Sequence, residues 1–355
     1  MIFINGTASI TPQNSLNFDE FKVGMISYDE DFLQSIKPDL NDFIKPADAR
    51  RMSKTVKNGI ITSSLAMQQA GINMPDAIIV GTGLGIVTDT ERFLENMLDN
   101  NEQFLTPTSF IQSTHNTVAA QIALSLNCHN YNFTFVNRGF SFESALLDAM
   151  MHIMEGEKNI LIGGADEMTP HYFNINKKTG RWKTNKTNNK DLLISKTKGA
   201  LCGEGVTFFV LSSEKTASSY AEIKGLRMFY KPVSEIEISK ELNSFIQENQ
   251  ITKNDIDLII VGKNGDGNFD NIYDTFLSNH FNHKPVGYFK HLTGEYHTAN
   301  AFALWLGSNI IKTSEIPDFV MLNDTSPDKI KHILIYNHYF NINHSFILLS
   351  NIHDL

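Results

Sequence analysis

Thiols are nearly absent: Cys128 and Cys202 are the only two in 355 residues. Two thiols make neither a disulfide framework nor a zinc knuckle, and a reducing cytoplasm is the simplest setting. Long apolar runs are missing as well, since no stretch reaches the roughly 18 apolar residues of a membrane span. Positive charge is in deficit. The formal net charge of -9 argues against general nucleic-acid binding through a phosphate-neutralising surface, though it leaves room for a local basic patch. The opening Met1-Ile2-Phe3-Ile4-Asn5-Gly6-Thr7-Ala8 lacks a basic n-region, so it reads as a first strand and not as a signal peptide. No segment is low-complexity enough to be a clear linker.

What remains is an alternation of strands and helices, in a chain long enough for one large domain or two fused halves. Helical spacing runs over 55–69, 90–98 and 116–126. Continuous apolar runs at 76–80, 159–162 and 206–211 fit strands buried on both faces, and predict an α/β protein with mostly parallel sheets. One phrase occurs twice, about half the chain apart. Asp76-Ala77-Ile78-Ile79-Val80-Gly81-Thr82-Gly83 is echoed by Asp257-Leu258-Ile259-Ile260-Val261-Gly262-Lys263-Asn264, and each copy follows a predicted helix. An internal duplication into halves 1–215 and 216–355 accounts for the echo and its flanks.

A strand-turn-helix stretch stands out. Residues 131–136 alternate like a strand, and 141–149 suit a helix with small residues on one face. Between them lies Asn137-Arg138-Gly139-Phe140. Such a turn is where many enzymes mount a Cys or Ser, because the helix N-terminus lowers a thiol's pKa. Here it carries Gly139, which has nothing to acylate; a glycine at a turn commonly serves for its backbone freedom. The segment 176–199 breaks the rhythm with Lys177, Lys178, Arg181, Lys183, Lys186, Lys190, Lys196 and Lys198 against one acid, Asp191. It reads either as a solvated loop or as a docking surface for an acidic partner.

Gly81-Thr82-Gly83-Leu84-Gly85, the Gly139 turn, Gly163-Gly164-Ala165-Asp166-Glu167-Met168, Gly203-Glu204-Gly205 and Lys290-His291-Leu292-Thr293-Gly294-Glu295 fall in order over most of the chain. Together they resemble the β-ketoacyl synthase (ketosynthase) family of the thiolase fold. The resemblance implies a five-layered αβαβα sandwich of two duplicated halves, usually dimeric, with no cofactor and no metal. Active members use a Cys that takes the acyl chain as a thioester, and two His that assist decarboxylation and stabilise the developing oxyanion.

Carried over position by position, all three have changed. Gly139 stands at the Cys, and Asn264 and Glu295 stand at the two His. An anion at 295 would oppose an oxyanion. His297, two residues on, substitutes only if the register slips; His291 reads as a surface or supporting histidine. Losing the nucleophile alone costs about 10⁴–10⁶-fold in rate. The family's ready alternative is a chain length factor, a Cys-less partner that completes a heterodimer with an active ketosynthase and shapes its tunnel in polyketide, polyene or fatty-acid-like synthesis. In that reading Phe110 and Gln112, in the segment 104–115, reach the dimer interface; Phe140, His338 and Asn343 line a pocket; and Lys177, Lys178, Arg181 and Lys183 dock an acyl carrier protein. Two alternatives stay open. One is an atypical acyltransferase using Ser141 with His297 or His115 as base. The other is a homodimeric scaffold that holds a carrier protein without chemistry. Cys128 and Cys202 read as packed small hydrophobes.

Overall fold

The computed structural model of the protein describes residues 1–353 except 41, 104 and 106. Residues 104 and 106 of the expected interface segment therefore lie outside the described residues. The strands are β1 (Phe3–Ile10), β2 (Phe32–Leu33), β3 (Ala77–Gly81), β4 (Tyr131–Phe135), β5 (Asn159–Asp166), β6 (Cys202–Gly203), β7 (Gly205–Ser212), β8 (Ala221–Tyr230), β9 (Leu258–Val261), β10 (Val286–Tyr288), β11 (His332–Tyr339) and β12 (Asn343–Ser350). Ten form one ladder in the order β10-β9-β11-β12-β8-β1-β7-β5-β3-β4, and β2 pairs with β6.

The ladder is the same five-strand arrangement twice. β3 lies parallel between β4 and β5, β5 runs antiparallel to β7, and β7 antiparallel to β1. β9 lies parallel between β10 and β11, β11 runs antiparallel to β12, and β12 antiparallel to β8. The two sets are joined where β1 pairs with β8, at Phe3 with Glu222 and Ile4 with Ala221. The repeated phrase falls on equivalent strands, β3 and β9, and even its leading aspartate repeats a task. Asp76 Oδ2 accepts from the N–H groups of Lys158 and Asn159 at 2.9 Å each, and Asp257 Oδ2 accepts from Lys331 at 2.7 Å and His332 at 3.0 Å. Each carboxylate fixes the start of the neighbouring strand.

The sheet is mixed, not mostly parallel as the apolar runs predict. β7 and β12 are buried along their whole length, so they read like parallel strands, yet each reverses direction against its neighbour. Burial on both faces, which erases alternation, comes here from helices on either side and not from parallel pairing.

Layers follow from the side-chain alternation. Ile78 and Val80 turn outward to Val56 and Ile60 of the helix Lys54–Ala70 and to Val118 and Ile122 of Thr117–Leu126. Ala77 and Ile79 turn inward, to a core built on Phe142, Leu146 and Ala149 of Ser141–Glu155 and on Phe302 and Leu306 of Asn300–Thr313. Ile260 and Ile335 meet that same core from the other side, while Ile259 and Leu334 pack outward on the helices Glu235–Glu248 and Asp270–His280. Helix, sheet, helix, sheet, helix: this is the five-layered sandwich.

Candidate functional site

The turn after β4 delivers the expected nucleophile position to the tip of the β11–β12 hairpin. Ser141 caps this turn. Its Oγ accepts from Asn137 N–H at 2.9 Å and donates to Arg138 O at 2.8 Å, and the residue is fully buried. The hydroxyl is thus committed to local backbone, and no histidine bonds it, so the geometry gives the Ser141 nucleophile no base.

Gly139 is not the residue that uses glycine's backbone freedom. The left-handed conformation belongs to Arg138, at φ 50°, and Gly139 follows in the 3₁₀ turn Arg138–Phe140. Glycine is required at 139 for space. A Cβ there would stand 2.4 Å from Tyr339 Cβ, 2.8 Å from Tyr339 Cγ and 3.1 Å from Asn343 Oδ1. Tyr339 occupies the volume that a nucleophile would need. Its hydroxyl meets His297 Nε2 at 3.1 Å, and the two rings stack at 4.7 Å. Desolvation by burial holds the His297 imidazole below its ordinary value, so the ring is neutral near pH 7.

The two expected histidine positions meet each other. Asn264 Nδ2 donates to Glu295 Oε2 at 2.7 Å, and Lys290 Nζ bonds the same oxygen at 2.6 Å. All three residues are buried. Burial pushes the Glu295 carboxyl up, and the Lys290 charge pulls it back. Lys290 also donates to His338 O at 3.1 Å, which ties this pair to the hairpin carrying Tyr339. Asn264 thus donates to Glu295 through its amide nitrogen, and its Oδ1 accepts from Asp266 N–H at 3.0 Å.

The other expected residues scatter. His338 is fully buried and stacks on Tyr273 at 4.4 Å, Asn343 borders Gly139, and Phe140 is buried behind the turn. Phe110 is exposed and rests against the Phe93 ring, while Gln112 Nε2 donates to Arg51 O at 2.6 Å. His115 is exposed beside Gly85. His291 is a core residue, not a surface one: it stacks on Tyr288 at 3.8 Å, its Nε2 bonds Phe319 O, and desolvation lowers it to about 3. Both cysteines are buried.

The basic segment is ordered, with Trp182, Asn189 and Leu192 buried. Lys178 is exposed, and Lys177 pairs with Asp31 at 3.2 Å. Lys183 corrects the docking expectation. It is 4% exposed, and its Nζ donates to Ser195 Oγ, Thr197 Oγ1 and Gly265 O at 2.9, 2.8 and 2.8 Å. A buried ammonium with three internal acceptors cannot touch a partner. Sequence reasoning passed over Tyr339, Arg138 and the Lys290–Glu295 pair. The available signal for Tyr339 was its place between His338 and Asn343, both expected to line a pocket.

Residues 29–206, half of the chain, match the family model described as the N-terminal domain of β-ketoacyl synthase. The chain belongs to the β-ketoacyl synthase family. Solved structures agree on the fold. A β-ketoacyl synthase from Burkholderia phymatum STM815 superposes with a TM-score of 0.83 at 16% identity, covering 99% of each chain. The ishigamide ketosynthase/chain length factor gives 0.81 at 16%, also over 99% of each. The ketosynthase ApeO in complex with its chain length factor ApeC, from Xenorhabdus doucetiae, gives 0.77 at 14%, over 99% of this chain and 98% of that one. No curated protein matches the chain by sequence. Among the described residues no helix is long and apolar enough to cross a membrane.

Proposed function

We propose that this β-ketoacyl synthase family member is a non-catalytic subunit of the chain-length-factor type. It pairs with a Cys-bearing ketosynthase and shapes the chain that the partner builds from carrier-bound units. The observation that carries this reading is Tyr339 seated where a side chain at 139 would project. The Lys290–Glu295–Asn264 cluster supports it, because the two places read as histidines in active members hold an asparagine that donates to a glutamate, and the glutamate is ion-paired with Lys290. Chain length factors among the structural neighbours make the pairing a natural one. Residues 1–215 and 216–355 are the proposed duplicated halves, a division supported by the repeated strand order. Lys178, Lys186, Lys190, Lys196 and Lys198, all exposed, are the proposed face for an acidic carrier protein.

The surface offers a place for the partner. β4 is the last strand of the ladder, and its flank exposes Tyr131, Phe133 and Val136 together with Leu147 and Met151 of the adjoining helix. An apolar edge of this kind calls for cover. Co-expression with a Cys-bearing ketosynthase tests the proposal. A one-to-one complex should appear by light scattering, and an acyl-thioester should label the partner's Cys while leaving this chain's mass unchanged. A chain that stays apart from that ketosynthase, or that is itself acylated, overturns it.

A further inference from the structure

We propose that a single proton, held on Glu143 and shared with Asn300, latches the Tyr339 hairpin over the Gly139 turn. Side chains from three elements form a closed triangle: Glu143 on the helix Ser141–Glu155, Asn300 at the start of the helix Asn300–Thr313, and Ser345 on β12. Asn300 Nδ2 donates to Glu143 Oε1 at 2.8 Å and to Ser345 Oγ at 3.1 Å, and Ser345 Oγ donates to Glu143 Oε1 at 2.9 Å. Each residue is 1% exposed. The triangle uses every side-chain hydrogen its members can donate, two on the amide and one on the hydroxyl. Two oxygens are left over, Glu143 Oε2 and Asn300 Oδ1, both buried and neither met by a donor. Stranding a buried acceptor is costly. One proton on Glu143 Oε2 serves both, because a carboxylic acid donates where a carboxylate can only accept. Acid and amide then form a two-bond pair, O–H to Oδ1 and Nδ2–H to Oε1.

Electrostatics agree with the geometry. Burial raises the Glu143 carboxyl to about 7, against its own hydrogen bonds and the charge of Lys290. The Lys290 ammonium is itself committed to Glu295 and to His338 O. The other titratable groups here add little. His297, ahead of Asn300, His344, beside Ser345, and Tyr339 are all held neutral near pH 7 by burial. Asp166, bonded to Thr298 just before Asn300, takes four hydrogen bonds of its own. The triangle reaches the covered turn along β12. Asn343 and Ser345 project from one face of that strand, and Asn343 Oδ1 lies 3.1 Å from where a Cβ at Gly139 would stand. Across the hairpin Asn343 pairs with Tyr339. Glu143 is therefore tied to the strand that seats Tyr339. Loss of the proton leaves the carboxylate and the amide oxygen with no donor between them, and the tie weakens. The latched form binds the proton more tightly than an opened form whose Glu143 meets water. The latch is thus firmest below about pH 4.5 and loosens as the pH rises through about 7.

The latch belongs to this chain alone, so it stands or falls apart from the pairing with a ketosynthase. Infrared spectroscopy and hydrogen exchange of the purified chain at pH 5 and pH 8 test it. Glu143→Gln mimics the protonated acid, since its amide nitrogen donates in place of the hydroxyl, and it cannot ionise. The parent-minus-variant spectrum should show the carbonyl band of a protonated carboxylic acid at pH 5 and its loss at pH 8. The Phe140 and Ile342 amides, which bond Asn137 O and Tyr339 O, report on the turn and the hairpin. In the parent their protection, corrected for intrinsic exchange, should fall by about tenfold or more from pH 5 to pH 8, while Ile259 on β9 stays protected. In Glu143→Gln it should change less than about twofold. Ser345→Ala keeps the acid and its amide, so it should lower protection by a similar factor at both pH values and preserve the fall between them. A carboxylate band already at pH 5, flat protection in the parent, or the same fall in Glu143→Gln overturns the proposal.

Discussion

At the scale of single residues, the decisive contact is steric. Returning a thiol by Gly139→Cys places its Cβ 2.4 Å from that of Tyr339, so the hairpin must move. Overpacking of this kind costs about 1–3 kcal/mol. The variant should melt earlier than the parent and show no acyl adduct by intact mass after exposure to an acyl-thioester. An unchanged melting temperature together with an adduct would show that the space is open after all. Glu143, in the first turn of the helix Ser141–Glu155, gives a second prediction. Its Oε1 accepts from Asn300 Nδ2 at 2.8 Å and Ser345 Oγ at 2.9 Å, while its buried Oε2 has no partner. Desolvation raises the carboxyl from 4.5 to about 7. The folded state therefore binds this proton more tightly than the unfolded chain does. The contribution is fully present below about pH 4.5 and is lost as the pH rises through about 7, a total of about 3 kcal/mol. Glu143→Gln removes that titration. Denaturant unfolding at pH 5 and pH 8 should show the variant gaining on the parent at the higher pH; parallel losses in the two proteins would refute the assignment.

At the scale of elements, legibility followed the range of the signal. The echo of Asp76–Gly83 in 257–264 was readable because an aspartate before an apolar strand is a local pattern, and each aspartate does the same capping job. Chain reversal at β7 and β12 was not readable, because a strand covered on both faces looks alike in either direction. The Gly139 turn and the Asn264 and Glu295 positions could be named from motif order. What fills the space between them could not, since Tyr339 is brought to Gly139 from 200 residues away. Lys183 is the clearest failure. In a lysine-rich run it reads as solvated, yet it reaches a carbonyl 82 residues distant. That clamp holds the basic segment on the Asn264 turn, where Gly267 N–H donates to Thr197 O at 2.9 Å. Lys183→Met keeps most of the volume and deletes three internal bonds, each worth about 1 kcal/mol net. Hydrogen exchange should speed at Gly267 and Ala200 while β9 stays protected. Unaltered exchange at both amides would mean that the segment is held by other contacts.

At the scale of the whole molecule, the two ends of the ladder differ, and the difference bears on assembly. β10 is short and closes one end, whereas β4 closes the other with aromatic side chains facing solvent, Tyr131 at 40% and Phe133 at 46% exposure. The rings of Tyr131 and Phe133 stack at 6.1 Å and Phe133 meets Phe135 at 4.8 Å, a ridge continuous along the strand. A half-exposed side chain adds little to the lone chain's stability, so Phe133→Lys should leave the unfolding free energy within about 0.5 kcal/mol. If β4 is the pairing edge, the same change puts a charge into a desolvated interface, where loss of an aromatic anchor costs about 2–4 kcal/mol. The complex with the ketosynthase should then weaken by roughly two orders of magnitude. Ile236→Lys supplies the control. Ile236 is 81% exposed on a helix of the other strand set, so the same chemical change there should leave the complex intact. Sedimentation of the co-expressed pairs separates the outcomes. Dissociation in the Phe133 variant alone places the partner on β4. Equal weakening in both variants would trace to added charge, and an unaffected Phe133 variant would send the search for the partner to another face.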